Sequence, residues 1–392
     1  MNAPIVKMRF ILLLILALGI TISCKKKDDP QPTPALRSSI DYSKLTPTTP
    51  YASLFVDEKG DATVDRTEGR NLLRMLNAIE AYCKSSVTNS VALDSTKLSN
   101  MFRNKSNAFV APYTDLNALP YSLQKYSSAS ITMFSSKTTT DQDLEKMFGA
   151  LAKASLSVGS TAGIGTAGVY NSSYLVDAAG VELGEVITKS LIGAVQIDYI
   201  SNVLLFTGLN ADNHQLVAGK NYTQLEHNWD VAYGLITAND IYALGATDAV
   251  ANAGESLLGQ AIWENNKNGY KQLYAAFLKG RTAIVNNDLN EVRSQALAIR
   301  YILEKGVGYS AGAYILATPQ QATLVRSHPF SKGYGFIYAT RFCFLHGGNV
   351  AFSQTYMTQL LNATTTRVTN ITYDDILDVQ TKVFDKFGYY QQ

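Results

Sequence analysis

From Thr67 onward, apolar residues return every three or four positions, the spacing that gathers them on one face of an α-helix. Leu72, Leu73, Leu76, Ile79 and Tyr82 line such a face over Thr67 to Lys84. Leu144, Met147, Phe148, Leu151, Ala152 and Ser155 do the same over Asp141 to Leu156, which opens with acids. Val181 to Phe206 carries Leu183, Val186, Ile187, Leu191, Ala194, Val195, Ile200, Val203 and Leu204, a face wide enough to place this helix at the centre of a bundle. The same spacing predicts helices near 223–237, 252–265, 268–285, 288–317, 319–327, 333–346, 353–362 and 373–387, with Asn286-Asn287-Asp288 as a turn. Strict alternation is rare, and no short fixed repeat occurs. The pattern predicts an all-α fold, an antiparallel helical bundle.

With 392 residues, the chain exceeds what one hydrophobic core usually serves, so two bundle lobes, or one elongated body, are expected within an all-helical domain spanning 41–392. The Gly-, Ser- and Thr-rich stretch near 157–173 is the expected break between them. An apolar share of 46% against 17% charged residues excludes a disordered chain. Net charge is +2; with five basic and two acidic residues of the first 29 positions set aside, 29 bases face 30 acids. So neutral a body gives no electrostatic reason to expect nucleic acid as a partner. Three cysteines exclude a disulfide scaffold. Cys83 and Cys343 are expected as free buried thiols, the latter because it lies in the apolar run Arg341 to Leu345.

The N-terminus is organised differently. Lys7 and Arg9 precede the apolar run Phe10 to Ile20, followed by Thr21-Ile22-Ser23-Cys24. This is the build of a secretory signal, too short to span a membrane comfortably. It resembles a bacterial lipoprotein signal, 1–23, cut before a cysteine that carries lipid; Thr21 departs from the usual Leu. Cys24 is then the lipid attachment site, and the membrane a partner through that anchor. The proline-rich segment 24–40 is expected to be a disordered tether. Its Lys27-Asp28-Asp29 cluster is similar to the export signal of some Gram-negative lipoproteins, which points to the outer membrane, on its surface or periplasmic face.

Candidate chemistry is sparse. Gly163-Ile164-Gly165-Thr166-Ala167-Gly168 fits the dinucleotide-binding glycine spacing, but no strand enters and no helix leaves it in the predicted pattern, so a flexible or ligand-covering loop is the better reading. Gly-x-Ser-x-Gly, P-loop and His-Glu-x-x-His motifs do not occur. His227 and Asp230 lie three apart on a predicted helix, where an imidazole and a carboxylate can converge on one cation or form a buried packing pair. Thr223 and Glu226 match a capping box, which makes Glu226 a helix-start device. Glu182 and Glu185 share a face at the start of the central helix and could complete a metal site with His227 and Asp230, or simply favour the helix dipole. His328, before Pro329, reads as a helix-end cap between two helices, and His346 as a residue at a helix C-terminus.

The stretch Gly219-Lys220-Asn221-Tyr222-Thr223 through Glu226-His227-x-Trp229-Asp230-x-Ala232-Tyr233-Gly234 is similar to the signature of a domain-of-unknown-function family of bacterial surface lipoproteins. Leu93-Asp94-x-x-Lys97-Leu98-x-x-Met101-Phe102, Gly180-x-Glu182 and Ser331-x-Gly333-Tyr334-Gly335 fit the same family, over about 41–392. More distantly, His227-x-x-Asp230 resembles the His-x-x-Glu motif of imelysin-like proteins, helical bundles associated with iron or haem uptake; the acid here is one methylene shorter, and Leu225 replaces a Gly. The resemblance implies a lipid-anchored protein, more a binder than an enzyme, that takes a divalent metal ion, iron, or a metal-containing ligand and serves an outer-membrane transporter. Rival readings are a glycan- or peptide-binding lipoprotein, an uncharacterised hydrolase, and a structural scaffold.

Overall fold

The computed structural model describes residues 36–130, 137–239, 255–321, 323–348 and 368–388. Cys24, the expected leader, the part of the expected 24–40 tether before Leu36 and the helix expected near 353–362 lie outside them; the rest of that expected tether is held to the body, Arg37 pairing with Glu226 and the Ile40 amide donating to Asn286 Oδ1. The described body is built from helices: α1 (Thr67–Asn89), α2 (Ser95–Arg103), α3 (Lys137–Ser155), α4 (Leu183–Leu191), α5 (Gln224–Ile236), α6 (Leu257–Asn265), α7 (Lys267–Val285), α8 (Leu289–Leu316), α9 (Ser327–Ala339) and α10 (Tyr373–Phe387). The all-α expectation holds, and most expected helices appear within a few residues of their predicted bounds.

Local chemistry explains several boundaries. At α5, Thr223 accepts the Glu226 amide while the Glu226 carboxylate accepts the Thr223 amide, the capping box expected from the sequence. Between α7 and α8, Asn286 ends one helix, Asn287 takes φ +55°, and Asp288 caps the next by accepting the Glu291 amide. The helix expected over 319–327 is only a 3₁₀ turn at Leu324–Arg326, and the one expected from 333 begins at Ser327. Pro329 sits in the first turn of α9, where its missing N–H has no helical partner to lose. His346 lies beyond that helix, in a turn where its Nδ1 meets the buried Glu304 at 2.8 Å.

The expected two lobes are not found. The described residues from Leu36 onward fall in one compact unit, and the stretch expected to divide it runs within that unit. After tight turns, Gly168–Tyr170 (β1) pairs antiparallel with Tyr174–Val176 (β2), Val169 facing Leu175. Here the glycine run enters a hairpin and no helix leaves it, which removes the mechanism for a dinucleotide site.

α8 is the hub, packing on α6, α7, α9 and α10. α4 is the other axis. It continues from Ile192 to Leu204 as π-helical winding, a rare form at this length. Each of the polar residues that interrupt its apolar run is hydrogen-bonded inside the protein, although Asn202 Oδ1 is buried without a partner. Gln196 donates to Leu235 O, Asn202 donates to Phe342 O, and Asp198 accepts the Ser130 amide. Leu183–Asn210 is, among the described residues, a segment long and apolar enough to cross a membrane, yet 72% of its most apolar window is buried within the fold, as a central core helix requires. Cys83 and Cys343 are free and buried, as expected.

α4 and α9 run parallel, against the antiparallel expectation for neighbours. Ser331 meets Glu182, Gly335 meets Val186 and Ala339 meets Gly193, so both chains advance together. Two glycines permit this approach. A Cβ on Gly335 would lie 2.6 Å from Lys189 Cβ and 2.8 Å from Val186 O, and one on Gly193 would lie 2.4 Å from Ala339 Cα. Gly335→Ala is therefore expected to destabilise the fold by about 1–3 kcal/mol through overpacking, and Gly335→Val by more. Urea unfolding checks this; an unchanged midpoint in both variants would mean that the two helices are not held in contact there.

Candidate functional site

Because α4 and α9 run parallel, their N-termini open at the same end of the molecule. Asp177 begins the turn before α4: its Oδ1 accepts the amides of Ala179 at 2.8 Å and Val181 at 2.9 Å, and Gly180 takes φ +81°. Glu182 then occupies the N-cap position, and its amide donates to Ser331 Oγ of α9 at 2.9 Å. Glu185 follows in the first turn, on the same face. From α9, His328 brings Nδ1 to 2.7 Å from Glu182 Oε2, while its ring stacks on Tyr174 of β2 at 4.5 Å. Candidate ligand atoms of Glu182, Glu185 and His328 all lie within 4.8 Å of one another.

The three side chains line one wall of a cavity of about 710 Å³. Ser172, Ser173 and Tyr174 from the hairpin line another part of it, whereas Gly163, Gly165 and Gly168 are not among the residues that line it. Behind the wall, Lys189 Nζ lies 3.1 Å from Glu185 Oε2 and 3.9 Å from Glu80. That Glu185 oxygen is buried and has a cation beside it, but no donor is aimed along a hydrogen-bond line to it. Burial penalises the charged form of both acids. In Glu182 burial prevails over the hydrogen bond from His328 and raises the pKa. In Glu185 it is outweighed by Lys189, Lys332 and His328, which hold the carboxyl down at about 2. Two carboxylates and an imidazole at this separation can share a proton or a cation.

His227 and Asp230 are not part of this cluster. Asp230 is fully buried and accepts from Tyr51 OH at 2.8 Å, Arg281 Nε at 3.1 Å and the Asp65 amide at 3.2 Å. Glu226 is held by Arg37 at 2.7 Å and by Arg281 Nη1 at 2.9 Å. Thus Asp230 is the anion that neutralises a buried arginine, and its lone pairs are spent on protein donors. Its pKa is raised by burial, with Arg281 opposing. His227 lies parallel to Tyr222 at 4.6 Å and lines a separate cavity of about 460 Å³ with Glu68, Tyr126 and Tyr199. The expectation that His227 and Asp230 join Glu182 and Glu185 in one ligand set is therefore corrected: Glu182 and Glu185 converge with His328 instead, and His328 is no inter-helix cap.

Removing Asp230 leaves Arg281 buried with one counter-charge fewer. Asp230→Ala is expected to cost roughly 3–5 kcal/mol of stability. Chemical denaturation with and without added zinc checks it. A loss below about 1 kcal/mol would show that the carboxylate is not a structural counter-ion.

No curated protein and no solved structure matches the chain. The sequence does match, over residues 52–389, the family described as domain of unknown function DUF4856. With the great majority of its length inside that match, the chain belongs to the DUF4856 family.

Proposed function

We propose that this protein captures a divalent metal ion at Glu182, Glu185 and His328, and that it does so as a lipid-anchored protein of the outer membrane, tethered through Cys24. The observation that carries the reading is the convergence of two carboxylates and an imidazole from two parallel helix N-termini onto one cavity wall, within 4.8 Å of each other. Such oxygen and nitrogen donors suit zinc, iron and manganese. The cavity leaves room for solvent or a further ligand to complete the coordination. The Cys24 pattern and the charged, proline-rich segment after it support export and anchoring. A role in metal acquisition, iron or haem included, follows from that combination, with an outer-membrane transporter as the receiving partner. The resemblance of His227-x-x-Asp230 to the imelysin-like motif does not bear on this site, because Asp230 is held by Arg281 and Tyr51.

A metal ion competes with protons for these carboxylate and imidazole donors, so its affinity should fall as pH is lowered. Calorimetric titration of the wild type with Zn²⁺ is expected to show one site, weakening as pH is lowered. Glu185→Gln and His328→Ala should each lose tenfold or more in affinity, about 1.4 kcal/mol, whereas His227→Ala should bind as the wild type does. Absence of any site, or loss of binding on changing His227 alone, would overturn the assignment.

A further inference from the structure

A single metal ion leaves most of the cavity unused. Each water takes about 30 Å³ of liquid volume, so an ion with its shell occupies a small part of the space. The cavity measures about 710 Å³, within the roughly 300–1,000 Å³ typical of small-molecule sites. The charges point the same way. Glu80, Glu182 and Glu185 face the cavity together with Lys84 and Lys332, and Lys189 sits between Glu80 and Glu185. Lys84 Nζ is 2.8 Å from Glu80. The acids are thus matched by ammonium groups before any metal arrives, and a divalent ion alone would leave two uncompensated positive charges beside a largely buried wall. An anion entering with the metal restores the balance.

We propose that the cavity takes its metal as a complex with a small polyanionic oxygen chelator, of the polycarboxylate or polyphosphate kind. Glu182, Glu185 and His328 hold the metal, Lys84 and Lys332 face the anion, and the hydroxyl-bearing hairpin tip at Ser172 and Ser173 closes over it. The inference rests on the metal reading above and deepens it by naming the ligand class.

Calorimetry at a fixed free Zn²⁺ concentration, with no added anion, with citrate or with pyrophosphate, tests the two steps separately. One of the anions is expected to tighten Zn²⁺ binding at least tenfold, and which one does so identifies the chelator chemistry. Lys84→Gln and Lys332→Gln should remove that gain while Zn²⁺ alone binds as well as before or better; thermal melting confirms that each variant is folded. If Zn²⁺ alone binds and neither anion tightens it, or if both lysine variants keep the gain, the chelate proposal fails and the bare-ion reading stands. Binding of the Zn²⁺–anion complex without binding of Zn²⁺ alone supports the chelate and overturns the bare-ion reading. Binding of neither overturns both.

Discussion

Close contact between two parallel helices governs the rest of the structure. Glycine at positions 193 and 335 lets the backbones of α4 and α9 approach to a distance at which a methyl group would collide, and the Glu182 amide is bonded to Ser331 across the gap. Parallel neighbours bring like helix ends together. Here those ends are N-termini, whose partial positive charge favours carboxylates such as Glu182 and Glu185. Without that contact, His328 would have no reason to meet either acid.

Among the described residues, two buried charge clusters are organised in opposite ways. Around Arg281, Asp230 and Glu226 are saturated by protein donors, with side chains almost fully excluded from solvent. Arg37, just ahead of the helical body, closes that cluster by pairing with Glu226, which ties the start of the described chain to α5. Around Glu185, pairing is incomplete and a cavity adjoins. The first cluster resembles a structural clasp, since removing one partner strands a charge. The second has the features expected of a site that exchanges a ligand: opposite charges, a buried oxygen without a hydrogen bond and an opening to solvent.

Much of the fold was legible from periodicity because the helices are long and their apolar faces wide; α1, α5, α7, α8 and α10 start within a residue of their expected positions. Glu182 and Glu185 stood out as acids in an apolar run. Their partner did not, for a physical reason: His328 approaches them through tertiary packing across 146 positions of sequence. A local signal existed, however. Pro329 marks a first helical turn, which would have placed His328 and Ser331 on one helix start rather than in a connection. Asp230 misled for the opposite reason. Its spacing from His227 is real, but helical spacing cannot say that Arg281, 51 residues on, claims the carboxylate. The short strands escaped because three residues are too few to show alternation.

The central claim is that Glu182, Glu185 and His328 form the first coordination sphere of a metal. X-ray absorption spectroscopy of the zinc-loaded protein addresses it most directly, through the zinc–ligand distances and the imidazole scattering signature. The account expects oxygen and nitrogen donors at about 2.0–2.2 Å with a single imidazole and no sulfur, and loss of the imidazole signature in His328→Ala. A shell of water alone, or an imidazole that persists in that variant, would contradict it.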